Sequence, residues 1–230
     1  MSEGKMKALI LNSDSDRNRR LNGGLAIARR LADIGVRDIV MKRTYAGRMP
    51  SALEIRTSDF AVITGSPSFV SSGWDWVGKL LKFPIAADEA GLPVLGICFG
   101  MHVVAQAMGG GVEIGKKRAK GFISIRLTGA GARHPLFRGM PREFEAYENH
   151  RDSVTSLPMG SALLAKSATC IEAFTLKRFC CIEFHPEILY RLAKLIAEDD
   201  RDDVQNLLGG MDRRYRLPLR ILSNFIEMNR

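Results

Sequence analysis

The stretch VLGICFGMH at 94–102 places Cys98 between an apolar run that reads as a buried strand and the first turn of a helix. Gly96 and Gly100 stand two residues to either side. A nucleophile at such a strand-to-helix turn needs small neighbours, because the backbone there is strained and other chain passes close by. The turn would present the thiol at the carboxyl end of a sheet, where open α/β folds bind ligands. The positive end of the following helix would favour the reactive, ionised sulfur. A structural cysteine buried in a strand is the competing reading. A thiol nucleophile also needs a base to take its proton, and the base needs a partner to hold its ring and tautomer. EFHPE at 183–187 offers both: His185 and Glu187 lie two apart at the end of an apolar strand, with a helix expected to begin at Pro186. Cys98, His185 and Glu187 therefore fit nucleophile, base and orienting carboxylate.

Alternating strand-like and helix-like segments over the first hundred residues predict βαβ units and a parallel sheet to position those groups. KALILNS, RDIVMKR and DFAVITG read as strands, GGLAIARRLADIG as an amphipathic helix closed by Gly35, and FAVIT and PVLGI as strands buried on both faces. WDWVGKLLKFPIAADEAG supplies the next helix and FGMHVVAQAMGG the one after Cys98. From about 121 the texture turns to shorter β-like pieces, GFISIRLT, EFEAYEN, SALLAKSA, CIEAF and RFCCIEF, and helix returns from about 187 to the end. AEDDRDD at 197–203 reads as a charged, exposed segment.

Taken together, GICFG and EFHPE resemble the triad-type, class I glutamine amidotransferases, and the resemblance covers most of the chain. AVITGSP at 61–67 resembles the family's oxyanion loop, HPLFRGMP at 134–141 its mid-domain loop, ENHRDSV at 148–154 its substrate-side loop and LSNFIE at 222–227 its last helix. The resemblance implies a flavodoxin-like, doubly wound, mostly parallel sheet with helices on both faces and a small β subregion. It also implies hydrolysis of the side-chain amide of glutamine through a thioester on the cysteine. Acyl transfer of that kind requires donors aimed at the developing oxyanion, worth about 3 kcal/mol each. By position these are the backbone N–H of Phe99 and that of Ser66 or Gly65. The family places Asn149, His150 and Arg151 near the substrate. Relatives commonly carry Gln where this chain has His102. The imidazole could replace the amide, the pocket could take another γ-glutamyl compound or wait for a partner, or His102 could face away from the site.

Composition bounds the rest. The 230 residues suit one α/β domain spanning 1–230. Apolar residues make up 46% with no run long enough to span a bilayer, and the N-terminus lacks a secretory pattern, so a cytoplasmic protein without membrane association is expected. Cys98, Cys170, Cys180 and Cys181 show neither metal-type spacing nor disulfide density, so no metal is expected. The +9 net charge is densest in GKKRAK at 115–120, without aromatic interleaving or a nucleic-acid motif; a solvated loop is expected there, and nucleic acid is not expected as a partner. GGVEIGK followed by Lys117 lacks the Ser or Thr that a phosphate loop needs for magnesium, so no nucleotide cofactor is expected. Amide-derived ammonia usually goes to an ATP-activated acceptor. The expected partners are thus glutamine and a separate ATP-using synthetase subunit, with the glutaminase subunit of archaeal GMP synthetase as the nearest pattern. The alternatives are a stand-alone hydrolase of γ-glutamyl amides or peptides and a catalytically silent regulatory subunit.

Overall fold

A computed structural model describes residues 6–15, 21–208, 211–212 and 215–230. Its strands are β1 (Lys7–Asn12), β2 (Asp38–Arg43), β3 (Phe60–Ile63), β4 (Val94–Ile97), β5 (Gly111–Leu127), β6 (Glu143–Ser156), β7 (Ala162–Lys166), β8 (Ile171–Leu176) and β9 (Phe179–Ile182). Its helices are α1 (Gly23–Asp33), α2 (Ala52–Arg56), α3 (Asp75–Leu80), α4 (Phe83–Glu89), α5 (Phe99–Ala107), α6 (Tyr190–Asp199), α7 (Val204–Leu208) and α8 (Arg220–Glu227). Among the described residues the strands form one nine-stranded sheet in the order β2-β1-β3-β4-β9-β8-β7-β5-β6. The β2-β1-β3-β4-β9 half is parallel and the remainder antiparallel.

The alternation of side chains along each strand divides the core into two layers. Ala8 and Ile10 of β1 pack with Ile27 and Leu31 of α1 and with Ile221 and Phe225 of α8. Leu9 and Leu11 face the other way, onto Trp76, Val77 and Phe83 of α3 and α4 and Phe99 and Val103 of α5. The inner parallel strands β3, β4 and β9 are thus buried on both faces, which is why their sequences are almost wholly apolar, whereas the edge strand β2 is only partly buried. The doubly wound arrangement expected from the sequence is present, and the β subregion continues the same sheet.

Register brings three strand ends to one edge. Ile63 of β3 pairs with Gly96 of β4, and Ile97 of β4 with Ile182 of β9. The segments leaving those strands carry Gly65, Cys98 and His185 side by side.

Four expectations are corrected. The helix read over 74–91 is two helices, α3 and α4, because Pro84 near the start of α4 has no N–H to continue a helical ladder. ENHRDSV is no loop but the middle of the 14-residue β6, in which buried and exposed positions largely alternate. GKKRAK lies within β5, where the pairing with β6 shifts register between Ile114 and Ala119. Pro186 lies in a turn and helix resumes only at Tyr190. No described helix is long and apolar enough to cross a membrane.

Candidate active site

Cys98 occupies the turn between β4 and α5 with φ 50° and ψ −109°, a left-handed conformation costly for a residue with a Cβ. The surroundings hold it there. Its N–H donates to the Ile182 carbonyl at 2.8 Å, and its own carbonyl accepts from the His102 N–H at 3.1 Å. Both flanking glycines are required by contact: a Cβ on Gly96 would lie 2.8 Å from the Gly100 carbonyl oxygen, and one on Gly100 would collide with the Ile63 carbonyl.

His185 Nδ1 donates to Glu187 Oε1 at 2.8 Å, and the His185 backbone N–H donates to the Tyr147 carbonyl at 2.8 Å, tying the residue to β6. With Nδ1 committed, Nε2 is left facing the cleft, without a hydrogen-bond partner among the described residues. A Cβ on Gly65 would lie 2.6 Å from His185 Cε1, so the AVITGSP segment closes directly on the imidazole. Cys98, Gly65, Ser66, His185 and Glu187 line a cleft of about 270 Å³. Cys98 also lines a neighbouring hollow of about 290 Å³ together with His102, Asn149, His150 and Arg151. Phe99 lines the second hollow as well, so each candidate catalytic, oxyanion and substrate-side residue borders one or both of two hollows that meet at Cys98, Ser66 and Asn149.

The electrostatics suit a thiol that must be deprotonated by a neighbour. Burial raises the Cys98 pKa well above the ordinary thiol value, helped by the Glu183 carboxylate; the Phe99 N–H, which reaches the sulfur, pulls the other way. For His185, burial disfavours the charged ring, but the Glu187 carboxylate outweighs it and the net shift is upward. The Ser66 hydroxyl accepts from the Ser68 N–H at 3.1 Å.

His102 does not face away. It is 2% exposed, and its Nε2 lies 3.0 and 2.9 Å from the two carboxylate oxygens of the fully buried Glu183. Burial would raise the Glu183 pKa, but His102 and then His150 outweigh it and hold the group below the ordinary value. An ionised carboxylate only accepts, so His102 Nε2 is the donor. His150 Nδ1 donates to the Asp152 carbonyl at 2.7 Å, and its Nε2 lies 3.2 Å from Glu148 Oε2. Asn149 Oδ1 accepts from Arg118 Nε at 2.7 Å.

Several groove residues escaped the sequence reading. Arg118 reaches Asn149 and Asp200 from the basic block, and Lys120 binds Asp200 at 2.5 Å and also Asp202, so AEDDRDD folds back over the cleft, which Asp199 and Asp200 line. Glu183, Glu148 and Glu172 are buried carboxylates behind the groove. A signal existed for part of this set: Glu148, His150 and Asp152 alternate in sequence, which in a strand places them on one face.

Comparison with known proteins adds the family. The model for "Glutamine amidotransferase class-I" matches residues 24–196. A GMP synthase (glutamine-hydrolyzing) of Syntrophomonas wolfei is 35% identical over 130 residues, 55% of this chain and 24% of that protein. A separate glutamine-hydrolyzing GMP synthase subunit from Thermococcus kodakarensis is 37% identical over 106 residues, 45% of this chain and 55% of that one. The chain thus spans about a quarter of the longer relative and about half of the shorter. A glutamine amidotransferase of Thermotoga maritima superposes with a TM-score of 0.79 at 17% identity, covering 98% of both chains, which speaks to the fold. A match over three quarters of the sequence, on a doubly wound sheet shared with solved glutamine amidotransferases, makes this chain a member of the class I glutamine amidotransferase family.

Proposed function

We propose that this chain hydrolyses the side-chain amide of glutamine and passes the ammonia to a separate ATP-using subunit. The observation that carries the reading is the convergence at one cleft of a strained, buried Cys98 and a His185 whose Nδ1 is held by Glu187 and whose Nε2 is open.

The chemistry follows from that arrangement. His185 Nε2 takes the Cys98 thiol proton as the sulfur attacks the amide carbon. The resulting oxyanion is met by the Phe99 N–H and by that of Gly65 or Ser66. The tetrahedral species collapses as the C–N bond breaks; His185 returns the proton to the leaving nitrogen, ammonia departs, and a thioester remains. Water, deprotonated by His185, then attacks the thioester, glutamate leaves and the thiol is regenerated. Glu187 keeps the ring in the required tautomer throughout.

The relatives named GMP synthase, and in particular those named as one of its subunits, support an acceptor-activating partner in trans that aminates a purine nucleotide. Arg118, Asn149, His150, Arg151 and His102 border the second hollow, where the head group of glutamine would sit. The test is ammonia release from glutamine by the wild type, Cys98→Ala and His185→Ala, each alone and with the archaeal synthetase partner and its nucleotide substrates. The expected result is slow release by the wild type alone, acceleration of about tenfold or more with the partner, and loss of release in both variants. Unchanged hydrolysis in either variant would remove the mechanism; brisk turnover indifferent to the partner would remove the ammonia transfer and leave a hydrolase.

A further inference from the structure

We propose that Glu183, clamped by His102, is a positioning residue of the reaction: it locks the helix that carries the nucleophile to the strand that leads to the base, and its negative charge keeps the proton on Cys98 until His185 takes it. The inference rests on the glutaminase reading above. It gives a role to a place where this groove departs from its relatives, which commonly carry Gln where this chain has His102.

Register puts Glu183 beside the nucleophile. Ile97 of β4 pairs with Ile182 of β9, and the Cys98 N–H donates to the Ile182 carbonyl at 2.8 Å, so Cys98 and Glu183 leave the sheet side by side. The Glu183 N–H donates to the Glu172 carbonyl at 2.8 Å, which ties the segment to β8 just before it reaches His185. From the other side, His102 stands one turn along α5, with its N–H donating to the Cys98 carbonyl at 3.1 Å. Its Nε2 spans both carboxylate oxygens of Glu183, at 3.0 and 2.9 Å, and both side chains are buried. A shift of α5 against β9 must therefore break a charge-assisted hydrogen bond in a dry interior, where an abandoned partner is costly. With Nε2 committed to Glu183, the imidazole of His102 acts on the groove through that carboxylate.

The charge has a second effect. Titratable groups face Glu183 from each neighbouring element: His102 from α5, His150 from β6, whose Nδ1 lies 3.6 Å from Oε1, and His185 two residues on. Burial opposes ionisation of Glu183, but His102, then His150 and His185, outweigh it. His150 is a fixed cation: burial would lower its pKa, but Cys170, Glu148 and Glu183 raise it to about 12. Asp152 of β6 is a carboxyl that feels Glu183, while Glu187 and Glu148 also act on Cys98. At the thiol, burial and then Glu183 push the pKa up. At His185, burial opposes the protonated ring, which Glu187 and then Glu183 favour. A negative charge so placed penalises a free thiolate and stabilises a proton on the imidazole. The Sγ proton thus moves to His185 Nε2 only as the sulfur attacks, and the empty groove holds a neutral thiol.

The test follows glutamine hydrolysis and alkylation by iodoacetamide against pH, with the adduct mapped to Cys98, in the full-length wild type, Glu183→Gln, His102→Gln and His102→Ala. Glu183→Gln keeps the shape and an acceptor for His102. It is expected to lower kcat by about tenfold or more with KM nearly unchanged, and to move the acid limb of kcat/KM down. Its alkylation rate at a fixed neutral pH should rise by about threefold or more, as the thiol pKa falls. His102→Ala should lose kcat by a similar factor, and His102→Gln, whose amide can donate to Glu183, should recover most of it. A merely structural role would lower activity without moving the limb or the alkylation rate, and that result would overturn the proposal. So would a loss in Glu183→Gln carried wholly by KM, which would make residue 183 a head-group contact. If His102→Ala fails to fold, the near-isosteric Glu183→Gln decides alone. Were the wild type unable to hydrolyse glutamine with or without a synthetase partner, the glutaminase reading would fall, and the alkylation rate would by itself uphold or overturn the role of Glu183.

Discussion

A Cβ on Gly65 would press on Cε1 of His185 from 2.6 Å, so the ring can keep its place between Glu187 and the cleft only because residue 65 has no side chain. Gly65→Ala is expected to tilt the imidazole and lower kcat for glutamine hydrolysis by about 100-fold, the cost of misplacing a catalytic group by about 1 Å, while the melting temperature stays close to that of the wild type. Steady-state kinetics beside a thermal melt checks this; full activity in the variant would mean that His185 is not the base. The state of that base sets the pH profile. Burial alone would push the His185 pKa below its ordinary 6.5, but Glu187 outweighs it and the net shift is upward. A general base works when neutral, so the acid limb of kcat/KM is expected above pH 6.5, moving down in Glu187→Gln, where the raising charge is gone. The same shift has a stability counterpart. Because the folded pKa is the higher, the His185–Glu187 pair contributes fully below the unfolded value and the contribution is lost as pH rises through the folded value. A limb at the same pH in wild type and variant would contradict the coupling.

Between β3 and the first turn of α5 there is no room for a side chain at residue 100, because a Cβ there would meet the Ile63 carbonyl. Gly100→Ala is expected to push the helix from the sheet and cost about 1–3 kcal/mol of stability, with loss of hydrolysis as a consequence. Denaturant titration would show it as a lower midpoint, and an unshifted midpoint would contradict the packing described for the turn. The contrast with Gly65→Ala, which should harm activity alone, separates elements that build the site from atoms that act in it. At this scale the parallel strands were legible, since burial on both faces leaves runs such as FAVI and VLGI with no polar position. The second half of β6 was not, since EFEAYEN read as β-like but ENHRDSV as a loop. Its alternating buried positions hold Glu148, His150 and Asp152, and charge in sequence reads as solvent when it is paired across strands far apart in the chain. The helix over 74–91 was misread because apolar periodicity continues through Leu81–Lys82, whose backbone stays in the helical region while Pro84 interrupts the hydrogen-bond ladder.

Across the whole molecule, one sheet edge collects the ends of β3, β4 and β9, and the antiparallel half folds against it so that β6 forms the far wall of the groove. Cys98, His185 and Glu187 could be found in the sequence because they sit in two short segments whose glycines and apolar runs announce their strands. The cover of the groove could not, because Arg118 and Lys120 meet Asp200 and Asp202 only through the fold; separately, each charged stretch looked like solvated surface. His102 lies between these cases: its inward placement was legible from the helix turn, whereas its partner Glu183 was hidden inside the motif that named His185. Glutamine hydrolysis at this groove requires Cys98 to be the nucleophile of a pocket that accepts the glutamine head group. The most direct measurement is intact-mass analysis with peptide mapping after incubation with a diazo-ketone analogue of glutamine. A single adduct on Cys98, formed more slowly in His185→Ala, is the predicted result. No adduct, in protein whose Cys98 still reacts with a small alkylating agent, would contradict it.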